Sequence, residues 1–160
     1  MEISALLAPG HIFCDVPVSS KKRALEVLSG LLVEAGAPLA ESDIFDGLIA
    51  RERLGSTGLG HGVAIPHGRF EGLTETVGIF ATLERTIDYD AIDDEPVDLV
   101  FALMVPKEST EEHLQLLASL AEMFGENTVR EQLRHSSTAT EIKAVIGHWR
   151  SGAAPVAAPA

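Results

Sequence analysis

Six histidines are the residues of this 160-residue chain best suited to chemistry near neutral pH. At that pH a neutral imidazole can act as a nucleophile or carry a proton. His11, His135 and His148 lie beside turn or helix-surface signals, so we expect ordinary surface or packing roles for them. His61 is less easily assigned, because it lies within a glycine-rich segment.

His67 differs from the other histidines in its immediate neighbours. It follows the short apolar run 63–65 and lies between Pro66 and Gly68. The proline fixes one backbone angle, and the glycine lets a bulky group approach the chain closely. This pattern predicts an imidazole held rigidly at the end of a strand and open to solvent. A histidine that only caps a turn is the alternative interpretation.

The segment around His67 concentrates backbone freedom. Five glycines fall within fourteen residues, at Gly55, Gly58, Gly60, Gly62 and Gly68. A helix predicted from Ser42 to about Leu54 precedes them, and its last turn carries Arg51 and Arg53, cations that suit a helix C-terminus. The chain therefore changes character after this helix, from regular helical periodicity to a loop rich in glycine.

Composition and charge exclude several classes of function. The chain has 46% hydrophobic and 22% charged residues, which is typical of a globular protein, and its length fits about one domain at roughly 150 residues per domain. Twelve basic and twenty-four acidic residues give a net charge of −12. This charge repels polyphosphate backbones and anionic membranes, so we expect no nucleic-acid partner.

Targeting signals are also missing from the sequence. Residues 1–6 lack the basic start and apolar stretch of a secretory signal, and the longest apolar run, 99–106, is too short to cross a membrane. The single cysteine, Cys14, excludes an intramolecular disulfide and a cysteine-cluster metal site. These features predict a cytoplasmic protein without membrane insertion.

Hydrophobic periodicity predicts a mixture of helices and strands. Strands are expected at 63–65, 77–83 and 97–105, and the last is apolar enough to be covered on both faces. One helix is expected after Ser20 and before Gly36, and others at about 42–54, 110–124, 129–134 and 139–149. The pattern predicts an α/β layer fold with helices on both faces of the sheet, formed by residues 1–150. Residues 151–160 are of low complexity and are predicted to be a disordered tail.

Two local patterns lead to more detailed expectations. Ser109 to Glu112 reads as a capping box, followed by a buried stripe of Leu114, Leu117, Leu120, Ala121 and Phe124. Residues 88–95 form an acidic, turn-prone connection, which we interpret as a solvated loop.

The segment Arg51–Gly68 reads RERLGSTGLGHGVAIPHG. It resembles the phosphorylation-site signature of the phosphotransferase-system enzyme IIA domains of the fructose, mannitol and nitrogen-regulatory class. The resemblance extends over about residues 5–147, and the intact RERLGSTG at 51–58 makes the nitrogen-type branch the nearest. It implies a mixed β-sheet sandwiched between helices. It also implies that His67 is phosphorylated by a small phosphohistidine carrier protein of the HPr or NPr kind.

The same resemblance assigns site roles to Arg51 and His113. Elementary chemistry agrees, since a guanidinium fork suits phosphoryl oxygens and His113 falls in the first turns of a predicted helix, where anions are favoured. A plain helix-surface role is the alternative for His113. Ser56 and Thr57 are either hydroxyl donors to the phosphoryl group or turn residues. His61 departs from the family, where relatives often have asparagine or another polar residue, and it either tunes the site or replaces a turn residue.

The preferred interpretation is a phosphoryl relay that needs no metal and no organic cofactor. With the whole length used by one IIA-like domain, we expect a freestanding regulator whose partners respond to its phosphorylation state. One alternative is a soluble IIA component of fructose or mannitol transport that passes phosphate to a IIB domain. Others are a protein that only binds partners, and a metal-dependent hydrolase using His61, His67, His113 and Glu112.

Overall fold

The structure is a computed structural model that describes residues 2–150. Within that range the chain forms a short 3-10 helix at Ile3–Leu6, six β-strands and five α-helices. The strands are β1 (Ile12–Val16), β2 (Gly58–Gly60), β3 (Val63–Ala64), β4 (His67–Phe70), β5 (Val77–Ile87) and β6 (Val97–Pro106). The helices are α1 (Lys21–Glu34), α2 (Glu41–Arg53), α3 (Thr110–Phe124), α4 (Asn127–His135) and α5 (Ala139–His148). The predicted tail at 151–160 lies outside the described residues.

One mixed sheet contains all six strands. Its centre is the antiparallel pair β5 and β6, and β1 runs parallel to β5 on the outer side. On the other side of β6, β3 and β4 both pair with it in parallel, one after the other, and β2 joins β3 antiparallel. The prediction of a mixed sheet between helices is confirmed.

Burial on both faces of β6 divides the core into two clusters. Val100, Ala102 and Met104 pack with residues of α1 and α2, whereas Phe101 and Leu103 pack with residues of α3, α4 and α5. Every residue from Leu99 to Pro106 is buried, as the continuous apolar run predicts. No helix formed by the described residues combines the length and apolar composition that a bilayer crossing requires.

Side-chain caps fix the starts of two helices. Ser20 accepts the Arg23 amide at 3.2 Å before α1, and Thr138 accepts the Glu141 amide at 3.2 Å before α5. The predicted cap at α3 is wrong, since Ser109 makes no side-chain cap hydrogen bond. Its ψ of 54° departs from the extended backbone that capping residues usually adopt.

The predicted buried stripe of α3 is also partly wrong. Its buried residues are Leu116, Leu120, Met123 and Phe124, whereas Leu114 is 63% exposed, Ala121 is exposed and Leu117 is only half-buried. Leucines and alanines occur on more than one face of this helix, so periodicity alone allows two stripes. Packing against the sheet selects the face that carries the larger Met123 and Phe124 side chains.

The acidic connection at 88–95 is not simply a solvated loop. Six of its eight residues are exposed, but Tyr89 is completely buried and Ala91 is 4% exposed. Asp90 and Asp94 have positive φ angles of 56° and 59°, which turn the chain sharply on either side of Ala91. The two inward residues therefore fasten this loop against the glycine-rich segment.

Helix α2 approaches β4 closely because Gly47 has no side chain. A Cβ atom at Gly47 would lie 2.4 Å from Cε1 of Phe70, which is buried in the core beneath the helix. We predict that Gly47→Ala destabilises the protein, since overpacking costs about 1–3 kcal/mol and the gain in helix propensity offsets only about 1 kcal/mol. Urea unfolding measures the change.

Gly147→Ala in α5 is the matched control, because a Cβ there meets no atom within 4 Å. It should be neutral or stabilise the protein by up to about 1 kcal/mol. A Gly47→Ala protein as stable as the control would contradict the proposed close contact.

Candidate functional site

His67 lies where the edge of the sheet is interrupted. β3 ends at Ala64 and β4 begins at His67, and both strands pair with β6. Pro66 has no N–H to donate, although its carbonyl still accepts the Leu103 amide at 3.0 Å. The chain therefore leaves the regular ladder for two residues and returns to it at His67.

The imidazole of His67 is oriented by the backbone at this interruption. Its Nδ1 lies 2.6 Å from the carbonyl oxygen of Ile65. A carbonyl oxygen only accepts hydrogen bonds, so Nδ1 carries the proton and the lone pair of the neutral ring is on Nε2. The residue is only 8% exposed, which corrects the expectation of a ring open to solvent. The ring of His113 on α3 covers it.

Burial sets the protonation state of His67. Desolvation is the largest effect and lowers the pKa of His67 below the ordinary 6.5, and the charge of Arg51 also lowers it. The hydrogen bond to Ile65 and the charge of Glu52 raise the pKa, but the net result is a lowering. The ring is therefore neutral at pH 7. A neutral imidazole with an unprotonated Nε2 has the form that a nitrogen nucleophile needs.

His113 meets His67 edge to face. The ring centroids are 5.3 Å apart and the planes are inclined by 71°. Burial lowers the pKa of His113, and the charges of His67, Arg69 and Arg51 lower it further. Its Nε2 is the single buried side-chain nitrogen or oxygen of residues 2–150 without a hydrogen-bond partner. Since buried polar atoms are nearly always partnered, this nitrogen indicates a place for a group that arrives from outside.

Two arginines bring positive charge to this pair of neutral rings. Arg51, in the last turn of α2, donates from Nη1 to the carbonyl of Gly55 at 2.8 Å, and its charge lowers the pKa of both histidines. Sequence reasoning missed Arg69, which donates to the Thr110 hydroxyl at 3.3 Å and acts on His113. The period of two along β4 could have found it, because residues 67 and 69 share a face of the strand.

Glu52 is a second residue that sequence reasoning missed. It is buried, and its carboxylate accepts the amide of Thr57 at 3.1 Å and the hydroxyl of the same residue. The ammonium of Lys21 lies 3.0 Å from the same carboxylate. One local feature could have drawn attention to Glu52. It is an acidic residue between two arginines at a helix C-terminus, where the helix dipole disfavours negative charge.

Hydrogen bonds within the loop occupy the hydroxyls of Ser56 and Thr57. Ser56 donates to the carbonyl of Tyr89 at 3.0 Å and accepts the amide of Gly58 at 3.1 Å. The Thr57 hydroxyl is buried between the Glu52 carboxylate and the Tyr89 hydroxyl. In this structure both side chains hold the loop in shape.

The structure places His61 away from the other candidates. It occupies the turn between β2 and β3 with a φ of 57°, where its amide donates to Asp93 at 2.8 Å and its carbonyl accepts from Arg134 at 2.6 Å. The turn precedes Val63, which pairs with Leu99, whereas His67 pairs with Leu103. Four residues along β6 correspond to about 13 Å. His61 therefore serves as a turn residue at the other end of β6.

Residues 2–150 contain no group of three or more histidine, cysteine, aspartate or glutamate side chains that could hold a metal ion. Glu112, considered as a fourth ligand, is exposed on α3. The hydrolase alternative thus finds no ligand set in this part of the chain.

Comparison with known proteins agrees with this geometry. Residues 5–149 match the family described as phosphoenolpyruvate-dependent sugar phosphotransferase system, EIIA 2. The nitrogen regulatory protein of Pseudomonas aeruginosa is 40% identical over 152 residues, covering 95% of this chain and 99% of that protein. The crystal structure of nitrogen regulatory protein IIA-Ntr from Neisseria meningitidis is 44% identical, with a TM-score of 0.86 over 90% of this chain and 98% of that one. IIA mannitol from Escherichia coli, at 24% identity and a TM-score of 0.74 over 88% of this chain and 98% of that one, shares the fold.

The lowered pKa values of His67 and His113 predict that acid destabilises the fold. The unfolded histidines bind protons near pH 6.5, while the folded ones remain neutral to lower pH. The stability contributed by these groups is therefore complete above pH 6.5 and decreases as the pH falls towards the folded pKa values. NMR titration should place both pKa values below 6.5, and urea unfolding at about pH 7.5 and about pH 5.5 should show the loss.

His67→Gln distinguishes the acid destabilisation caused by the histidines from that caused by carboxylates. It removes the titration of His67 and leaves that of His113. Its stability should depend less steeply on pH between those two values. A pKa of His67 at or above 6.5 would contradict the neutral assignment.

Proposed function

Because this chain belongs to the phosphotransferase-system EIIA type 2 family, we propose that His67 is its phosphoryl acceptor. The family is a phosphotransfer component that works in relay with partner proteins. Nitrogen regulatory relatives of 40% and 44% identity support a phosphoryl carrier of the nitrogen-regulatory type. The observation that carries the assignment of His67 is its ring geometry, with Nδ1 bound to Ile65 and Nε2 unprotonated beside His113.

The proposed reaction is an in-line transfer between two imidazoles. Nε2 of His67 attacks the phosphorus of a phosphohistidine on a small carrier protein. The new N–P bond forms as the donor's N–P bond breaks, and the electron pair of the broken bond returns to the donor ring. His67 keeps its Nδ1 proton, and the Ile65 carbonyl stabilises the positive charge that develops on the ring.

Positive charge and a dry environment assist this transfer. The transferring group carries its negative charge on three equatorial oxygens, so catalysis depends on alignment and electrostatic stabilisation. The positive charge of Arg51 acts on both rings. His113, whose buried Nε2 has no partner among residues 2–150, lies beside His67. Protein groups alone provide these interactions, and the route requires no metal or organic cofactor.

Regulation follows from the charge that the reaction adds. Phosphorylation adds about two negative charges at His67, which can dock or repel a partner without refolding the domain. We infer that cytoplasmic partner proteins distinguish the phosphorylated from the unphosphorylated form. Rapid transfer from His67 to a sugar-specific IIB domain, without any partner that senses phosphorylation, would favour the transport alternative.

We predict that this protein gains one phosphoryl group when mixed with phosphoenolpyruvate, enzyme I and a histidine carrier protein. Intact mass should show the addition, which is labile in acid and stable in base because it is N-linked. His67→Ala should gain none, whereas His135→Ala, a change of an exposed histidine on α4, should be labelled like the wild type. Full labelling of His67→Ala would refute the assignment.

We also predict that Arg51→Ala and His113→Ala slow the transfer while leaving the protein folded. Removing one preorganised donor to developing charge typically costs about 3–4 kcal/mol, or a factor of about 10²–10³ in rate. Rapid-quench measurement at saturating donor tests this. Arg23→Ala is the control for the loss of an arginine, because Arg23 pairs only with nearby residues of α1 and its cap. Rates within about twofold of wild type for both variants would remove the assigned roles.

A further inference from the structure

A buried polar cluster lies beneath the proposed site, and the mechanism above does not use it. It consists of Lys21, Glu52, Thr57 and Tyr89, which we call the Glu52 cluster. These residues come from the start of α1, the last turn of α2, the glycine-rich loop and the acidic connection. Four segments distant in sequence therefore meet at one carboxylate.

The donors of the cluster all point towards Glu52. Its side chain is 3% exposed and forms an ion pair with Lys21 at 3.0 Å. It also accepts from the Thr57 amide at 3.1 Å and from the Thr57 hydroxyl. Burial raises the pKa of Tyr89 well above its ordinary value, so its hydroxyl stays protonated and can donate to the Thr57 oxygen at 3.3 Å. The Lys21 ammonium lies 4.6 Å from the centre of the Tyr89 ring, within cation–π range.

Stability alone does not account for such a cluster. The desolvation of a buried ion pair largely cancels its attraction, and well-packed apolar residues of the same volume often serve the fold as well. A buried charge with several converging donors defines one geometry, however, because any other arrangement leaves the charge unsatisfied. The cluster therefore specifies the conformation of the segments that meet there.

The segment most directly specified is the one that holds Arg51. Both hydrogen bonds from Thr57 to Glu52 close the loop 52–57 onto the end of α2. Gly55 lies inside that closed loop, and its carbonyl accepts from Nη1 of Arg51 at 2.8 Å. The position of the guanidinium thus depends on a loop whose shape depends on the Glu52 carboxylate.

We propose that Glu52 is a positioning residue for phosphoryl transfer, acting through the closed loop to hold Arg51 against the group bound at His67. This inference rests on the proposed function of His67. A second link between Glu52 and the site is electrostatic, since its negative charge raises the pKa of His67 while the charge of Arg51 lowers it. Removing that charge should therefore lower the pKa of His67 further.

Glu52→Gln tests the proposal, because it removes the charge and one acceptor at nearly constant volume. Single-turnover transfer from the phosphorylated carrier protein should slow by about 10- to 100-fold at saturating donor, the order expected from a small misplacement of a catalytic group. The donor concentration for half-maximal rate should stay the same. NMR titration of the unphosphorylated variant should show a lower pKa for His67.

Asp98→Asn is the matched control. It breaks an ion pair between Asp98 and Arg134 of 2.9 Å at the other end of β6. This variant should lose comparable thermal stability while keeping the transfer rate and the His67 titration of the wild type. The proposal would be wrong if Glu52→Gln matched Asp98→Asn in thermal stability, transfer rate and the titration of His67. Glu52 would then have only a structural role.

Thr57→Val provides a second variant in case Glu52→Gln does not fold. It keeps the amide that binds Glu52 and removes only the hydroxyl, so the rate should fall several-fold with the same donor dependence. An unchanged rate would overturn the proposal.

Failure of the wild type to accept phosphate would refute the function of His67 instead. The Arg51 Nε–H signal would then still test positioning, since it should be sharp in the wild type and broadened in Glu52→Gln.

Discussion

The hydrogen bond from His67 to the carbonyl of Ile65 is the contact on which the arrangement of the site depends. It forms where the strand pairing with β6 is interrupted for two residues, between Ala64 and His67. The same bond settles the tautomer, since Nδ1 must carry the proton. The orientation of Nε2, the proposed nucleophile, therefore follows from the interruption of the strand at Pro66.

The local electrostatics of the site differ sharply from those of the whole chain. The net charge is −12, yet the groups that act on the two histidines are mostly cationic, with Arg51 and Arg69 close to neutral rings. The one carboxylate that acts on His67 belongs to Glu52, and Lys21 accompanies it. Cations gathered near the two histidines of an acidic molecule favour an anionic group there.

Much of this arrangement can be predicted from the sequence. The apolar run at 97–105 predicted a strand covered on both faces, and the segment Arg51–Gly68 contains the proposed acceptor His67, Arg51 and the glycine-rich loop. The burial of His67 was not predicted, because local sequence does not reveal that α3 covers the ring. The face of α3 was misjudged for a similar reason, since only packing distinguishes its two apolar stripes.

Long-range contacts explain why the sequence did not predict the roles of Tyr89, Glu52 and Lys21. Tyr89 lies in a run of acidic residues, and its burial depends on Thr57 and Glu52, more than thirty residues earlier in the chain. Glu52 and Lys21 are likewise ordinary surface residue types until the fold brings them together. A single sequence shows the spacing within a motif, but it does not show which distant side chains complete the motif.

The recessed position of His67 limits what can reach it. Only 8% of the residue is exposed, and the bond from Nδ1 to the backbone holds the ring in one orientation. The proposed transfer to His67 therefore requires a donor whose phosphate lies on a protruding side chain. That donor must also arrive along the direction of the Nε2 lone pair, because the ring cannot turn to meet it without breaking its bond to Ile65. The recessed, fixed ring therefore constrains the shape of the donor that the proposed transfer can use.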